Sequence, residues 1–122
     1  MTESTVATEL RAVVVDTTAS PYAGHRPLPI DAVRLTDEFL APRLRINREV
    51  TIPGQYEFLE ETGRLNNFRR LTGDFDGPFE GIYFNDSDVY KWLEAASWTL
   101  ATNPGDGVAA LVDNVVTLIE GA

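Results

Sequence analysis

Apolar side chains recur at helical spacing through much of the chain. Val89, Trp92, Leu93, Ala96 and Leu100 fall at i, i+3, i+4, i+7 and i+11, which predicts one amphipathic helix over about residues 87–102. Asn103-Pro-Gly-Asp106 stops it, and Val108, Leu111, Val112, Val115, Leu118 and Ile119 predict a last helix over about 107–120. Two such helices joined by four residues make an antiparallel αα-hairpin. Trp92 and Trp98 are six residues apart and point to different sides, so at least one packs against a layer other than the hairpin partner.

Upstream, Phe39, Leu40, Leu44, Ile46 and Val50 trace another helical face. Thr36 is placed as its N-cap ahead of Asp37 and Glu38, and Pro42 is tolerable so early in a helix. Pro53 lies deeper in the pattern and either breaks the helix or kinks it; two helical pieces are favoured, about 38–51 and 53–62. The second carries Tyr56, Phe58 and Leu59 and ends at the glycine signal Thr62-Gly63. Leu65 to Leu71 is rich in Arg and Asn and is assigned to no element, and Gly73 to Pro78 reads as a loop. Toward the N-terminus, Leu10 to Val15 predicts one short strand, Thr17 to Pro29 a linker and Ile30 to Leu35 an extended piece. A lone strand needs a sheet to join, and no partner of similar quality appears. The pattern therefore gives a mainly α chain, either loosely closed or part of something larger.

Candidate chemistry concentrates in Phe79-Glu-Gly-Ile-Tyr-Phe-Asn-Asp-Ser-Asp-Val-Tyr-Lys-Trp-Leu-Glu94. Asn85, Asp86, Ser87 and Asp88 are all residue types that cap a helix N-terminus, because their oxygens accept the unpaired N–H groups of its first turn. Four acceptors exceed that need. They form either a generous cap on ordinary surface or a polar patch at the mouth of a pocket, where carboxylates and an amide meet sugar hydroxyls beside the rings of Tyr83, Phe84 and Tyr90. Spacing alone leaves both readings open.

Composition narrows the classes. The chain has 122 residues, 43% of them hydrophobic, which suits one globular domain. The net charge of −9 argues against nucleic acid and anionic membranes as partners. Seven arginines match seven acids over residues 28–72, whereas beyond residue 73 one lysine faces nine acids. With no cysteine, neither thiolate catalysis nor a thiolate metal site can be built from these residues. The one histidine, His25, lies in a Pro- and Gly-containing segment and reads as a loop residue. Asp74-Phe-Asp76 and Asp86-Ser-Asp88 lack the glycine and the twelfth-position glutamate of a calcium loop. The arginines between Arg64 and Arg70 read as surface ion pairs. With no basic leader and no apolar run of membrane-spanning length, the expectation is a cytoplasmic protein.

Several of these stretches together resemble a known family. Pro27 to Phe39, Asn47 to Pro53, Asn67-Phe-Arg69 and above all Phe79 to Ala95 look like the opening of glycoside hydrolase family 127, the non-reducing-end β-L-arabinofuranosidases. The resemblance spans about residues 27–120. It implies an (α/α)6 barrel catalytic domain followed by β-sandwich domains, with an N-terminal strand able to join a sandwich. It also implies a retaining mechanism with a zinc-held cysteine nucleophile and a glutamate acid/base, all beyond the matched region. On that basis residues 1–26 are a strand and linker, and 27–122 are the first helices of the barrel, an incomplete domain. Ile119, Val115, Trp98 and Tyr90 are then expected to expose apolar surface.

The function expected is that of an N-terminal segment of a β-L-arabinofuranosidase-like enzyme acting on terminal β-L-arabinofuranosides. Asn85, Asp86 and Asp88 are the candidate substrate contacts, no catalytic residue or metal ligand is assigned, and the segment is inactive alone. Zinc belongs to the full-length family, and the expected partners are carbohydrate, the remainder of the enzyme or a second copy. The rival reading is a stand-alone helical interaction module that docks a protein through its apolar face.

Overall fold

The computed structural model describes residue 13 and residues 15–122. The strand expected over 10–15 falls largely outside them, and among the described residues there is no β-strand. The chain divides into two compact units, one ending at Arg34 and one running from Leu35 to Ala122.

The described part of the first unit is built from turns. The Asp16 carboxylate accepts the Thr18 N–H at 2.9 Å, and the Ser20 N–H donates to the Thr17 carbonyl at 3.1 Å. His25 is an exposed loop residue. Ile30–Ala32 forms a 3-10 turn, and extended backbone begins at Val33, three residues later than the sequence suggests. Pro29, fixed at φ −54°, leads into that turn, and its carbonyl accepts the Ala32 N–H.

The second unit contains α1 (Leu40–Ile46), α2 (Ile52–Glu61), α3 (Arg64–Thr72), α4 (Asp86–Thr102) and α5 (Asp106–Gly121). Its first helix is capped by Asp37 rather than Thr36: the Asp37 carboxylate accepts the N–H groups of Phe39 and Leu40. Those hydrogen bonds, the one from Leu40 first, hold the Asp37 carboxyl below the usual range. Two pieces are present at nearly the expected bounds, residues 40–51 and Ile52–Glu61, but the backbone stays helical between them rather than breaking at Pro53. A π-helical turn, Asn47–Thr51, joins α1 to α2, and the Ile52 N–H reaches back five residues to Asn47. Pro53 falls in the first turn of α2, and the wider π turn before it is where the hydrogen-bond register changes to accommodate a residue without an N–H.

The third helix is the element that the hydrophobic pattern missed. Gly63 and Gly73 bracket α3 with φ of +71° and +86°, conformations that favour glycine. Only Leu65 and Phe68 bury apolar surface from it, so the periodic signal is one helical step long.

Helices α2 to α5 all pack on one another. Their core is Ile52 and Leu59 from α2, Leu65 and Phe68 from α3, Val89, Trp92 and Ala96 from α4, and Val115 from α5. Trp92 is the hinge of this packing: its indole N–H donates to the Ile52 carbonyl at 2.9 Å, and its ring lies 5.3 Å from that of Tyr56. The hairpin expected from α4 and α5 is present, with a three-residue connection. Val115 is 1% exposed, contrary to the expectation that it faces outward. Trp98 and Ile119 are half-buried, and of the four only Tyr90 is exposed. Exposed apolar side chains gather instead on α1 and the π turn, where Phe39, Leu40, Leu44, Ile46 and Val50 all face outward and no residue is buried.

Candidate functional site

The segment from Phe79 into α4 is anchored at a single residue, Glu80. The Asn67 side chain on α3 accepts the Glu80 N–H at 2.8 Å and donates to its carbonyl at 3.0 Å. Asn85 adds a second donor to that carbonyl at 3.2 Å. The neighbouring Asn66 donates to the Glu80 carboxylate at 3.1 Å. Two glycines make this possible. A Cβ at Gly63 would overlap the Glu80 carboxylate, and one at Gly81, where φ is +88°, would overlap the Asn85 amide.

The three predicted contact residues lie together at the start of α4, each with a distinct commitment. Asn85 is 5% exposed, and its amide is turned to the Glu80 carbonyl. Half-buried Asp86 accepts from the Asn67 amide at 3.1 Å through Oδ1, and its Oδ2 has no hydrogen bond among the described residues. Asp88 pairs with Arg64 at 3.2 Å and with Lys91 at 3.2 Å. The Arg64 hydrogen bond, then that of Lys91, holds the Asp88 carboxyl below the usual range.

None of these side chains caps the helix. Asn85, the N-cap residue, has helical backbone angles and makes no side-chain bond to the first turn, so the capping expectation is corrected. Backbone carbonyls close the turn instead, with Ser87 donating to Phe84 and Asp88 to Asn85, both at 3.0 Å. Asp86 and Asp88 instead accept from α3, and the Asn85 amide donates to the preceding loop.

Aromatic residues neighbour these groups along the chain. Tyr83 is 90% exposed and packs edge-on against Phe84 at 5.0 Å, while Tyr90 stands edge-on to Phe68 at 5.8 Å. An exposed ring and a carboxylate are the group types that meet a sugar, C–H groups on the ring face and hydroxyls donating to the acid.

A polar relay supports the anchor from behind. Arg69 grips Glu60 through both Nη atoms, at 2.7 and 2.8 Å, and also donates to Asn66 at 2.9 Å. Tyr56 donates to Glu60 at 3.1 Å. The Arg69 hydrogen bond depresses the Glu60 carboxyl, whereas burial, and then the charge of Glu60, raises the Tyr56 phenol. Tyr56 and Arg69 also line a cavity of about 450 Å³ with Thr72, Asp74, Asn114 and Leu118, which includes none of the three predicted contact residues.

Sequence reasoning missed Asn66, Asn67 and Glu80. Their signals were the tandem amide and the family-like stretches around Asn67 and Glu80, neither of which says that the two residues meet. The zinc ligands implied by the family resemblance lie beyond the matched region. There is no cysteine, and among the described residues no three His, Asp or Glu side chains converge. No helix among the described residues is long and apolar enough to cross a membrane.

Comparison with known proteins agrees with the resemblance. Residues 32–122 match the family described as Beta-L-arabinofuranosidase, GH127 catalytic domain. A non-reducing end beta-L-arabinofuranosidase of Bifidobacterium longum subsp. longum is 46% identical over 56 residues, which are 46% of this chain and 8% of that protein. A solved GH127 beta-arabinofuranosidase is 41% identical and superposes with a TM-score of 0.69 over 79% of this chain and 15% of its own. The chain thus spans a small part of the length of each relative.

Proposed function

The chain belongs to the beta-L-arabinofuranosidase GH127 catalytic domain family, and from that premise we propose that it is the N-terminal segment of a glycoside hydrolase acting on terminal β-L-arabinofuranosides. Helices α2 to α5 form part of the wall of an (α/α)6 barrel. The outward apolar side chains of α1 and the π turn meet the rest of that barrel. At the start of α4, Asp86 and Asp88 accept sugar hydroxyls beside Tyr83, and Asn85 orders the turn beneath them. The bond-breaking groups come from elsewhere in the enzyme, because these residues hold no cysteine for the family's nucleophile. The observation that supports the reading is an Asp86 carboxylate oxygen with no hydrogen bond among the described residues, in a segment whose Tyr83 and Phe84 are exposed, in a chain of this family.

Titration of the isotope-labelled chain with methyl β-L-arabinofuranoside tests the binding claim by NMR. Shifts confined to the amides of residues 82–88 are expected, and a titration that leaves them unmoved refutes the assignment. In parallel, the chain incubated with zinc and a chromogenic β-L-arabinofuranoside is expected to show no turnover above buffer. Robust hydrolysis would overturn the claim that this segment lacks the chemistry.

The rival reading, a stand-alone interaction module, draws on the same exposed face of α1. It predicts that Leu44→Lys abolishes capture of a protein partner while leaving sugar-induced shifts intact.

A further inference from the structure

We propose that Asn67 is a positioning residue for sugar binding: through the Glu80 peptide it fixes the Phe79–Phe84 loop, and through Nδ2 it fixes the Asp86 carboxylate. Ring face and acid are thereby presented as one unit. The inference rests on the reading of Asp86 as a sugar contact given above.

Burial does not hold the loop. Ile82 is 54% exposed, Tyr83 90% and Phe84 51%, so the hydrophobic effect does little to fix their backbone. The anchor is polar and lies at the start of the segment. A side-chain amide has one acceptor oxygen and two N–H donors. Asn67, only 5% exposed, spends its oxygen on the Glu80 N–H, and its nitrogen on the Glu80 carbonyl and on Asp86. Both targets are distant in sequence and flank the aromatic run, one before it and one after. No other residue type of this size offers both an acceptor and two donors.

The surroundings are shaped to the same purpose. Asn66, oriented by Arg69, takes the Glu80 carboxylate, and Gly63 leaves the space in which that carboxylate lies. Glu80 is therefore held by its N–H, its carbonyl and its side chain. A satisfied buried amide whose only task was stability could pair with any neighbour; this one joins the two parts of the candidate site.

Asn67→Asp keeps the shape but turns a carboxylate oxygen toward the Glu80 carbonyl and Asp86. Asn67→Ala removes the clamp without adding charge and serves if the acid prevents folding. Amide hydrogen exchange at Glu80, Val89 and Val115 is followed together with titration by methyl β-L-arabinofuranoside. Loss of a buried hydrogen bond corresponds to about a tenfold change in opening. In Asn67→Ala, exchange at Glu80 is expected to quicken by about that factor, with Val89 and Val115 unchanged, and in both variants the sugar is bound at least about fivefold more weakly. Unchanged exchange at Glu80 in Asn67→Ala overturns the clamp. Faster exchange with unchanged sugar affinity overturns the positioning role and leaves a structural one. A parent chain that binds no sugar defeats the underlying reading along with the inference, whereas a parent that binds beside an unaffected variant defeats the inference alone.

Discussion

Glycine at position 81 shows how much one side chain's absence decides. Its φ of +88° is a region that L side chains rarely adopt, and a Cβ there would meet the Asn85 amide. Gly73 has nearly the same φ, +86°, with nothing near its missing Cβ. Gly73→Ala should therefore cost only the backbone term, about 1 kcal/mol, whereas Gly81→Ala should cost about 2–3 kcal/mol and displace Asn85. Urea unfolding of the two variants measures the difference, and equal midpoints would show that the Gly81–Asn85 contact contributes nothing. The acids at this scale were legible by identity but not by duty. Asp86 and Asp88 stand out in the sequence as candidate caps or contacts, yet their partners Asn67 and Arg64 lie about twenty residues away on another helix.

Among the elements, α4 and α5 followed from periodicity, since each presents a stripe of apolar residues over four turns. The third helix did not, because a nine-residue helix that buries two apolar side chains carries too little periodic signal to be told from a loop. Its stability comes from the helices that it touches. Leu65 is 1% exposed and Leu71 68%, on the same helix. Leu65→Ala should destabilise by about 2–4 kcal/mol and Leu71→Ala by less than about 0.5 kcal/mol. Similar losses for both would mean that α3 packs by another face. The π turn is the other element that pattern could not supply: a proline inside a helical run signals a break, and only the local change of hydrogen-bond register lets the run continue.

For the molecule as a whole, two ion pairs tie the helices together, Arg69–Glu60 between α3 and α2 and Arg64–Asp88 between α3 and α4. Both carboxyls are held below their ordinary range by those arginines. Their contribution is fully present above the ordinary carboxylate pKa of about 4 and is lost as pH falls through the lowered values. Thermal stability should therefore hold from about pH 7 to about pH 5 and fall below about pH 4. Glu60→Gln should flatten part of that fall, and an identical acid profile for parent and variant would remove Glu60 from the account. Both pairs are partly exposed, so added salt should weaken the effect. At this scale too, the outward apolar residues of α1 contrast with the small sealed core of α2 to α5.

Periodicity and composition by themselves determined the helical class, the α4–α5 hairpin and the absence of cysteine among these residues, and the family followed from the resemblance carried by the run from Phe79 to Ala95. These are properties of neighbouring residues, written in spacing and residue type. Tertiary structure alone decided that Asn67 grips Glu80 and Asp86, that Val115 faces inward, and that Pro53 is absorbed rather than breaking the helix. Each of those depends on which distant backbone or side-chain group arrives within hydrogen-bonding or van der Waals distance, and the local sequence does not encode that arrival.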